Sequence, residues 1–330
     1  MDPFELKQVG NTRLHVTRLG LGGAPLGGLI AEAKNQVALD TVAKGYDLGV
    51  RYFDTAPLYG RGNSETYVGR ALADVPRDGF VLSSKVGRVL NPVSSQPDAK
   101  IQGAPPPYEV VFDFSRDGIL RALEESLARL GLDRIDIAYI HDPDDHYQQA
   151  IDEAFPTLAE LRSQGVVSAI GAGMNEWQPL ARFARDGDFD CFLLAGRYTL
   201  LDQSALPELM PLCVERGTSV ILGGPYNSGI LASDLSPDTT FDYFPVTSQV
   251  LERARAIKAV CDRHGVPLKA AALQFVRKIS SYRTPSRANA EPFLRAAWAG
   301  PEPGNHFIEY QQRAVFAALC AQQSQKFGAL

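Results

Sequence analysis

Short apolar runs alternate with helix-like segments along most of this 330-residue chain, and this alternation constrains the fold more than any other feature. The apolar runs are predicted to be strands, because they are continuously apolar and bounded by glycine and other turn residues. They begin near residues 18, 50, 80, 135, 166, 190 and 218. Strands separated by helices run parallel to one another. The chain is therefore predicted to belong to the α/β class.

The segments between the runs carry apolar residues at helical spacing and recognisable helix ends. Ser115 is a good N-cap, and Gly131 a good C-terminal stop, for the segment SRDGILRALEESLARLGL. Further helices are predicted for NQVALDTVAKGYDLG, AIDEAFPTLAELRSQG, LPELMPLCVERG and SQVLERARAIKAVCDRHG. Ahead of the first strand, residues 5–18 are predicted to form a β-hairpin that turns at Gly10 and Asn11.

Two architectures fit seven strand–helix units: a (β/α)₈ TIM barrel, which needs one unit more, and an open doubly wound sheet. In a barrel the functional groups collect at the C-terminal ends of many strands, whereas a doubly wound sheet concentrates them at one switch point. Here the strand ends read FDTAPLYG, SSKVG, IHDPDDH, GAGMNE, AGRY and GGPYNSG. Each is polar, ionisable or glycine-rich, which favours a TIM barrel, formed as a single domain over residues 1–330.

Composition excludes several classes of partner. The net charge is −5 and there is no run rich in lysine and arginine, which argues against nucleic acid and anionic membrane surfaces. No apolar run approaches the roughly 18–20 residues of a membrane span. The first ten residues, MDPFELKQVG, lack the pattern of a secretory signal. Four widely spaced cysteines are typical of free thiols, so we expect a cytoplasmic protein.

The glycine-rich segment Gly20–Leu29, GLGGAPLGGL, resembles a dinucleotide-binding fingerprint at first sight. The spacing differs, because Pro25 stands where that motif requires glycine or alanine. No acidic residue follows in the required strand–helix–strand context except Asp54, about thirty residues on. We therefore interpret the segment as a loop after the first strand that leaves room for a ligand beside the backbone.

Four ionisable residues lie at the ends of three successive predicted strands. Asp54 ends the second strand and Tyr59 follows in its loop, while Lys85 and His141 end the third and fourth strands. Taken singly, they could be a turn carboxylate, a packing aromatic, a solvated strand end and a core histidine. Because consecutive barrel strands lie side by side, we expect all four at one rim, where a functional role becomes the better interpretation.

The chemistry of these four residues suits proton transfer. A tyrosine has a reference pKa near 10 and needs its phenolate stabilised to exchange a proton near neutral pH. The Lys85 ammonium is predicted to lower the pKa of Tyr59 by favouring its charged form. Asp54 is predicted to be the counter-ion of Lys85, and His141 to donate a hydrogen bond to a substrate oxygen.

The segment HDPDDH offers an alternative. His141, Asp142, Asp144, Asp145 and His146 carry nitrogen and oxygen atoms that could bind a divalent metal in a barrel hydrolase. Pro143 interrupts the segment, and acid-rich loops are usually just solvated. We therefore predict that the segment does not bind a metal.

The motifs FDTAPLYG, SSKVG and YIHD resemble the aldo-keto reductase superfamily, whose Asp, Tyr, Lys and His they match in order. Supporting similarities are VGNTRLHVTRLG, GNSETYVGRAL and ALEESLARLGLDRIDI, and the likeness covers residues 5–276. FDFSRDGILRALEESLARLGLD, IGAGMNEWQPL, AGRYTLLDQ and GGPYNSGILA are similar to the branch of aldose 1-dehydrogenases for L-fucose, D-threo-aldoses and L-galactose. Pyridoxal 4-dehydrogenases are similar too.

The resemblance implies an NAD(P)-dependent enzyme that oxidises the C1 hemiacetal of an aldose to a lactone. It implies that Tyr59 is the general acid/base, that Lys85 and Asp54 tune it, and that His141 orients the reacting oxygen. It also implies cofactor contacts, with Asn175 binding the nicotinamide carboxamide and the others being Gly23, Asp54, Gly223, Gly224, Pro225, Tyr226, Ser228, Gly229, Leu231, Arg283 and Arg287. Many relatives have an aromatic residue in place of Gly223, and a glutamine near the position of Arg197.

The C-terminus departs from the family pattern. KISSYR is the one candidate for the eighth strand, and it is short and polar. Residues 277–330 are therefore predicted to hold a shortened eighth strand and an atypical tail, whose segment FIEYQQRAVFAALCAQQSQ is predicted to be a helix covering the sheet edge. Arg283 and Arg287 lie in this region and could contact a 2′-phosphate, so NAD is the predicted cofactor and NADP stays open.

Three functions remain after this reasoning. The leading one is aldose oxidation with a small-molecule substrate, in a monomer or homodimer. The second is a pyridoxal or other small-aldehyde dehydrogenase or reductase that uses the same site. The third is a non-catalytic barrel that binds a sugar or a protein and has lost its cofactor through the changed C-terminus.

Overall fold

The structure is a computed structural model, and it describes residues 2–28, 32–93 and 108–277. Its strands in chain order are β1 (Leu6–Gln8), β2 (His15–Thr17), β3 (Leu21–Gly22), β4 (Tyr52–Asp54), β5 (Val81–Val86), β6 (Arg88–Pro92), β7 (Tyr108–Phe112), β8 (Ile137–His141), β9 (Ala169–Met174), β10 (Cys191–Ala195), β11 (Ser219–Gly223), β12 (Thr240–Phe241) and β13 (Phe244–Pro245).

The α-helices in chain order are α1 (Ala24–Gly27), α2 (Glu32–Asp47), α3 (Asn63–Ala71), α4 (Arg116–Leu130), α5 (Tyr147–Gln149), α6 (Phe155–Ser163), α7 (Trp177–Asp186), α8 (Leu209–Arg216), α9 (Ser248–Arg263) and α10 (Leu268–Arg277). A π-helical segment, Ala150–Ala154, joins α5 to α6. Helix α4 begins and ends as its sequence predicts, because the Ser115 side chain accepts a hydrogen bond from Gly118 N–H and Gly131 adopts the left-handed conformation.

Seven of the strands form one sheet in the order β3, β4, β5, β8, β9, β10, β11, which confirms all seven strands predicted from the apolar runs. The pairs β3–β4, β4–β5, β5–β8 and β8–β9 are parallel, as helical crossovers require, and β8 is buried along its whole length. Among the described residues β3 and β11 are the edges of this sheet. The predicted eighth strand KISSYR and the predicted tail helix lie outside the described residues.

The N-terminal hairpin is confirmed, since β1 and β2 pair antiparallel with Leu6 opposite Thr17. The glycine-rich segment after β3 differs from the predicted loop, because Ala24–Gly27 form a single helical turn. Proline in the first turn of a helix removes no intrahelical hydrogen bond, so Pro25 is compatible with this turn.

A second hairpin, which the sequence did not reveal, interrupts the alternation after β5. Strands β6 and β7 pair antiparallel, with Arg88 opposite Phe112. Their residues are mostly half-buried and mix charged with apolar side chains, so neither strand has the continuous apolar character of the others. The hairpin starts directly after the strand that carries Lys85.

The chain divides into two compact units. One comprises the residues up to Leu193 together with Glu215–Ile221, and the other comprises Leu194–Val214 together with the residues from Leu222 on. The prediction of a single domain stays a prediction. In the first unit most apolar residues of the parallel strands are buried, and Phe53, Leu82 and Ile137 are fully inaccessible to solvent.

The second unit has a core of its own. It is made by residues of the loops after β10 and β11 and of α9 and α10, namely Leu200, Leu201, Ile230, Leu231, Leu235, Leu251, Ala254, Ile257, Cys261, Leu268, Ala271 and Ala272. Phe275 of α10 stacks on Tyr198 at a centroid distance of 5.3 Å. Apolar burial of this kind contributes about 25 cal/mol per Å².

Three cysteines of the described residues, Cys191, Cys213 and Cys261, are buried free thiols, as predicted. The fourth, Cys320, lies outside the described residues. None of the helices within residues 2–28, 32–93 and 108–277 has the length and apolar character that a membrane crossing requires.

Candidate active site

Asp54 and Lys85 form a buried ion pair at the C-terminal ends of β4 and β5. Lys85 Nζ lies 2.8 Å from Asp54 Oδ2 and donates a second hydrogen bond, of 2.9 Å, to the carbonyl of Thr55. The parallel register sets Asp54 opposite Ser83, and Lys85 lies on the same face as Ser83 because side chains alternate along a strand. The predicted pairing of Asp54 with Lys85 is therefore present.

The second oxygen of Asp54 is held by a column of buried hydroxyl groups. Ser83 Oγ donates to Asp54 Oδ1 at 2.7 Å and lies 3.0 Å from the Tyr52 hydroxyl, which is 3.3 Å from the Tyr139 hydroxyl. Cys191 Sγ donates to Tyr139 at 3.6 Å. Burial raises the pKa of both tyrosines well above 10 and that of Cys191 to about 12, so the column is neutral.

Tyr59 is positioned by a tight turn that follows β4. The Tyr59 N–H bonds the Ala56 carbonyl at 3.1 Å, and the Tyr59 carbonyl accepts from Ser64 N–H at 3.2 Å. At the next residue, Gly60, the backbone is left-handed and a Cβ would lie 2.0 Å from the carbonyl oxygen of Gly27 in α1. Only glycine permits this approach, which holds the turn against α1 and fixes the direction of the phenol.

Lys85 reaches the Tyr59 ring as well as Asp54. Its Nζ lies 4.6 Å from the ring centroid. Burial would lower the pKa of Lys85, but Asp54 and Tyr59 outweigh it, so the pKa is raised and the ammonium stays charged. The sequence-based prediction of an ammonium beside the phenol agrees with this geometry.

The direction of the Tyr59 pKa shift differs from the prediction. Burial is the largest influence and raises this pKa, and Asp54 raises it further, while Lys85 acts in the opposite direction. The net shift is upward because removing the phenolate from water destabilises it more than the Lys85 ammonium stabilises it. The resting form of Tyr59 is therefore the neutral phenol.

His141 ends β8 and lies against Tyr59. The two rings are perpendicular, with centroids 5.9 Å apart. Burial, followed by repulsion from Lys85 and Arg88, lowers the pKa of His141 well below 6.5, so the imidazole is neutral. Its Nδ1 is buried and bonds to no atom of the described residues. A neutral imidazole offers one donor and one acceptor, and can thus bond the oxygen of a substrate.

Arg88 and Asp142 extend this cluster, and sequence reasoning gave neither a role beside Tyr59. Arg88 Nη2 lies 2.7 Å from Asp142 Oδ2, and the same carboxylate oxygen is 3.5 Å from His141 Nε2. Burial raises the pKa of Asp142, against the influence of Arg88. The signal available in the sequence was the position of each residue, just after a strand that carries a member of the tetrad formed by Asp54, Tyr59, Lys85 and His141.

The members of the HDPDDH segment have different surroundings in the structure. His146 packs against the rings of Phe112 and Phe114 at centroid distances of 5.0 Å and 5.5 Å, while Asp144 and Asp145 are exposed in a 3₁₀ turn. In the part of the chain that the structure describes, no group of three His, Cys, Asp or Glu residues could hold a metal ion.

Two predicted cofactor contacts lie in the first unit. Gly23 is buried and donates its N–H to the Asp54 carbonyl at 2.7 Å, and a Cβ there would lie 2.4 Å from Ser64 Oγ. Asn175 follows β9, is exposed, and its side-chain amide bonds to no other described residue. Gly23 thus contacts a member of the tetrad, whereas Asn175 lies at the end of β9, a strand that carries no member of the tetrad.

The remaining described cofactor candidates lie in the second unit, in the turn that follows β11. Gly224, Asn227, Ser228 and Gly229 all have positive φ, between 46° and 100°. Asn227 Nδ2 donates to the Gly196 carbonyl at 2.9 Å, and its buried Oδ1 bonds to no described atom. Pro225, Tyr226 and Leu231 belong to the same turn, which starts at Gly223. Arg283 and Arg287 lie outside the described residues.

Comparison with known proteins identifies the family. The model of the aldo/keto reductase family matches residues 18–287. The chain belongs to the aldo/keto reductase family. This membership confirms the resemblance and makes the protein an NAD(P)-dependent oxidoreductase that acts on a small molecule.

The relatives of this aldo/keto reductase include three named dehydrogenases. D-threo-aldose 1-dehydrogenase of a Pseudomonas species is 40% identical over 79% of this chain and 82% of its own. Pyridoxal 4-dehydrogenase of Microbacterium luteolum is 39% identical over 82% of this chain and 85% of its own. L-Galactose dehydrogenase of Arabidopsis thaliana is 30% identical over 83% of this chain and 81% of its own.

Solved structures confirm the fold. An aldo-keto reductase from Bacillus halodurans superimposes with a TM-score of 0.65 at 24% identity, covering 96% of both chains. Glycerol dehydrogenase from Gluconobacter oxydans gives a TM-score of 0.68 at 23% identity, covering 96% of this chain and 95% of its own. The fold class is thus the α/β barrel with an N-terminal hairpin that the sequence predicts.

The described residues of this aldo/keto reductase fit a nicotinamide cofactor. In the turn after β11, the N–H groups of Tyr226 and Ser228 donate to no atom of the described residues. Successive backbone N–H groups in a turn can make a concave site for an anion such as a pyrophosphate. The exposed amide of Asn175 matches the hydrogen-bonding groups of a carboxamide.

Proposed function

We propose that this aldo/keto reductase oxidises the C1 hemiacetal of an aldose, of the L-fucose, L-galactose or D-threo-aldose type, to a lactone with NAD. The observation that carries the proposal is the contact of one phenol, Tyr59, with both a charged Lys85 and a neutral His141. The similarity to D-threo-aldose 1-dehydrogenase and L-galactose dehydrogenase supports the choice of substrate.

Each member of the cluster has a part in moving one proton. Tyr59 takes the proton from the anomeric hydroxyl group as the C1 oxygen becomes a carbonyl oxygen. Lys85 stabilises the phenolate that forms, because its ammonium lies beside the ring and Asp54 keeps it charged. His141 hydrogen-bonds the reacting oxygen and holds it towards Tyr59.

The bound nicotinamide cofactor supplies the acceptor for the hydride that leaves C1. In this proposal Asn175 binds the carboxamide, and the turn from Gly223 to Leu231 binds the pyrophosphate through its backbone N–H groups. Gly23, beside Asp54, leaves space for the cofactor, and Arg283 and Arg287 contact its adenosine end. A monomeric or homodimeric cytoplasmic enzyme remains our expectation.

A second candidate is the oxidation of pyridoxal or the turnover of another small aldehyde at the same site. The similarity to pyridoxal 4-dehydrogenase, at 39% identity, favours it. The proton chemistry of Tyr59 would be the same, since pyridoxal also reacts through a hemiacetal. The two candidates differ in which groups surround the reacting carbon.

The test begins with fluorescence titrations of the purified protein with NADH and with NADPH. Initial rates of NAD⁺ reduction are then measured with L-fucose, L-galactose, D-arabinose and pyridoxal. Turnover of at least one aldose, with a higher kcat/KM than pyridoxal, is the expected result. Cofactor binding with no turnover of any of these would refute the substrate class. Failure to bind either dinucleotide would favour the non-catalytic barrel instead.

A further inference from the structure

Arg88 and Asp142 form an ion pair beside the tetrad that the proton chemistry does not use. Arg88 begins β6, three residues after Lys85, and Asp142 follows His141 directly. Their side chains meet at 2.7 Å and are only partly exposed, at 17% and 28%. Two charged groups have thus been brought to the edge of a cluster whose own charges are already paired.

The carboxylate lies one side chain away from the reacting atoms. Asp142 Oδ2 is 3.5 Å from His141 Nε2, and His141 lies edge-on to Tyr59. A substrate oxygen bound at His141 Nε2 therefore has the Asp142 carboxylate as a neighbour. Vicinal oxygens on a sugar ring are about one hydrogen-bond length apart, roughly 2.8 Å, so the adjacent hydroxyl falls within reach of this carboxylate.

Asp142 is half-buried and has a vacant acceptor, which the buried acids of its unit do not have. Asp54, Glu65 and Asp136 each have a hydrogen-bond or ion-pair partner on both carboxylate oxygens. Among the described residues none donates to Asp142 Oδ1. Arg88 Nε is likewise buried and bonds to no described atom. An acceptor and a donor on two paired side chains match a hydroxyl group, which both donates and accepts.

An aromatic surface completes the site. The Arg88 guanidinium carbon lies 4.7 Å from the centroid of the Phe112 ring, which stands opposite Arg88 across the β6–β7 pair. Phe112 is 45% exposed although it stacks on Phe114. A partly exposed ring next to a few convergent polar groups is typical of pockets for small polar ligands, whose C–H faces pack on the ring.

We propose that Arg88 and Asp142 bind the hydroxyl group next to the reacting carbon of a polyhydroxylated substrate, with Phe112 packing against its ring. This inference rests on the proposed function and adds to it the residues that distinguish an aldose from a hemiacetal without hydroxyl groups. Asp142 Oδ1 accepts from the substrate hydroxyl, and Arg88 donates to it. Loss of such a hydroxyl leaves both groups unpaired, which is how a polar site rejects the wrong substrate.

The test compares two hemiacetals that undergo the same reaction. One is the best aldose of the wild-type panel, and the other is 2-hydroxytetrahydropyran, a six-membered cyclic hemiacetal with no further hydroxyl group. Wild-type kcat/KM should favour the aldose by roughly 100-fold or more. Asp142→Asn should lower kcat/KM for the aldose by roughly 10- to 100-fold and for 2-hydroxytetrahydropyran by no more than about threefold.

Two further variants make the result interpretable. Arg88→Lys keeps a positive charge beside Asp142 and should also lose more with the aldose, so it replaces Asp142→Asn if that variant does not fold. Arg116→Gln removes a matched arginine–carboxylate pair, with Glu160, that is exposed and far from the tetrad in sequence. It should change both kcat/KM values by less than about twofold. Circular dichroism and thermal unfolding confirm that each variant is folded.

The outcomes separate the inference from the proposed function. Equal losses with both hemiacetals would mean that Asp142 acts through His141 and would overturn the inference while leaving the aldose activity in place. An unchanged aldose rate in both variants would overturn it too. If the wild-type protein turns over neither hemiacetal, the proposed function fails and the inference fails with it.

Discussion

The Lys85 ammonium and the Asp54 carboxylate form a 2.8 Å ion pair, with 1% and 12% of their side chains exposed. Two charges withdrawn from water to this extent are stable only as long as both are present. Tyr59 depends on them in turn, because the same ammonium lies beside its ring. The ion pair therefore links the stability of the first unit to the chemistry of the phenol.

Removing the charge of Asp54 should damage both properties. In Asp54→Asn the buried Lys85 loses its counter-ion, so we expect the free energy of unfolding to fall by about 3–5 kcal/mol and the pKa of Lys85 to fall. Urea unfolding measures the first effect, and kcat for the aldose should fall as well. Ser83→Ala is the matched control, because it removes only neutral hydrogen bonds, to Asp54 and to the Tyr52 hydroxyl, and should cost about 1–2 kcal/mol. Equal stabilities of Asp54→Asn and the wild type would contradict this account.

The raised pKa of Tyr59 sets the pH dependence of oxidation. Because the neutral phenol is the resting form and the phenolate is the base, kcat/KM for the aldose should rise from about pH 7 to about pH 9. Tyr59→Phe should lower kcat by roughly 10²- to 10⁴-fold while NADH still quenches or enhances fluorescence as in the wild type. Steady-state rates across this pH range provide the measurement. A flat profile, or full activity in Tyr59→Phe, would exclude Tyr59 as the base.

His141 should make the protein less stable in mild acid. Its pKa is far below 6.5 in the folded protein because of burial, whereas the unfolded chain has the ordinary value. Below about pH 6.5 the unfolded state binds a proton that the folded state does not, so the free energy of unfolding falls as the pH falls; above that pH both states are neutral and this effect vanishes. Urea unfolding at about pH 7.5 and about pH 5.5 should show a smaller decrease for His141→Gln than for the wild type. An identical decrease would show that His141 does not titrate differently in the two states.

Gly69 should be intolerant of any side chain. A Cβ at this position in α3 would lie 1.9 Å from the Leu130 carbonyl oxygen, at the end of α4. Backbone cannot yield as a side chain does, so Gly69→Ala should lower the free energy of unfolding by about 2 kcal/mol or more. The matched control is Gly28→Ala, whose nearest neighbour would be 3.7 Å away, and it should have an effect of no more than about 1 kcal/mol. Equal melting temperatures for the two variants would contradict the close approach of α3 and α4.

The parts of the fold that the sequence predicted are those encoded locally. Each strand of the main sheet is a continuous apolar run, and α4 carries its own N-cap at Ser115 and its stop at Gly131. The positions of Asp54, Lys85 and His141 could be predicted for the same reason, because the ends of parallel strands lie side by side once the order of the strands is known. The order followed from the expectation that consecutive strands of a barrel lie side by side.

The parts that the sequence did not predict depend on contacts between distant residues. Arg88 and Asp142 are 54 positions apart, and no local sequence pattern around either residue predicts that the two form an ion pair. The β6–β7 hairpin mixes half-buried and exposed residues, so its alternation is weak. The direction of the Tyr59 pKa shift depends on how much water the fold removes, and residue identity alone does not contain that quantity.

The β6–β7 hairpin begins at Arg88, two residues after the end of β5, the strand that carries Lys85. Its two strands, Arg88–Pro92 and Tyr108–Phe112, pair with each other. Substitutions along it can alter the surface beside Asp142 while β5 keeps its register with β4 and β8. Under the proposed function, substrate preference therefore has a short route to diversify: the hairpin beside Asp142 can change in small steps while Asp54, Tyr59, Lys85 and His141 are inherited intact.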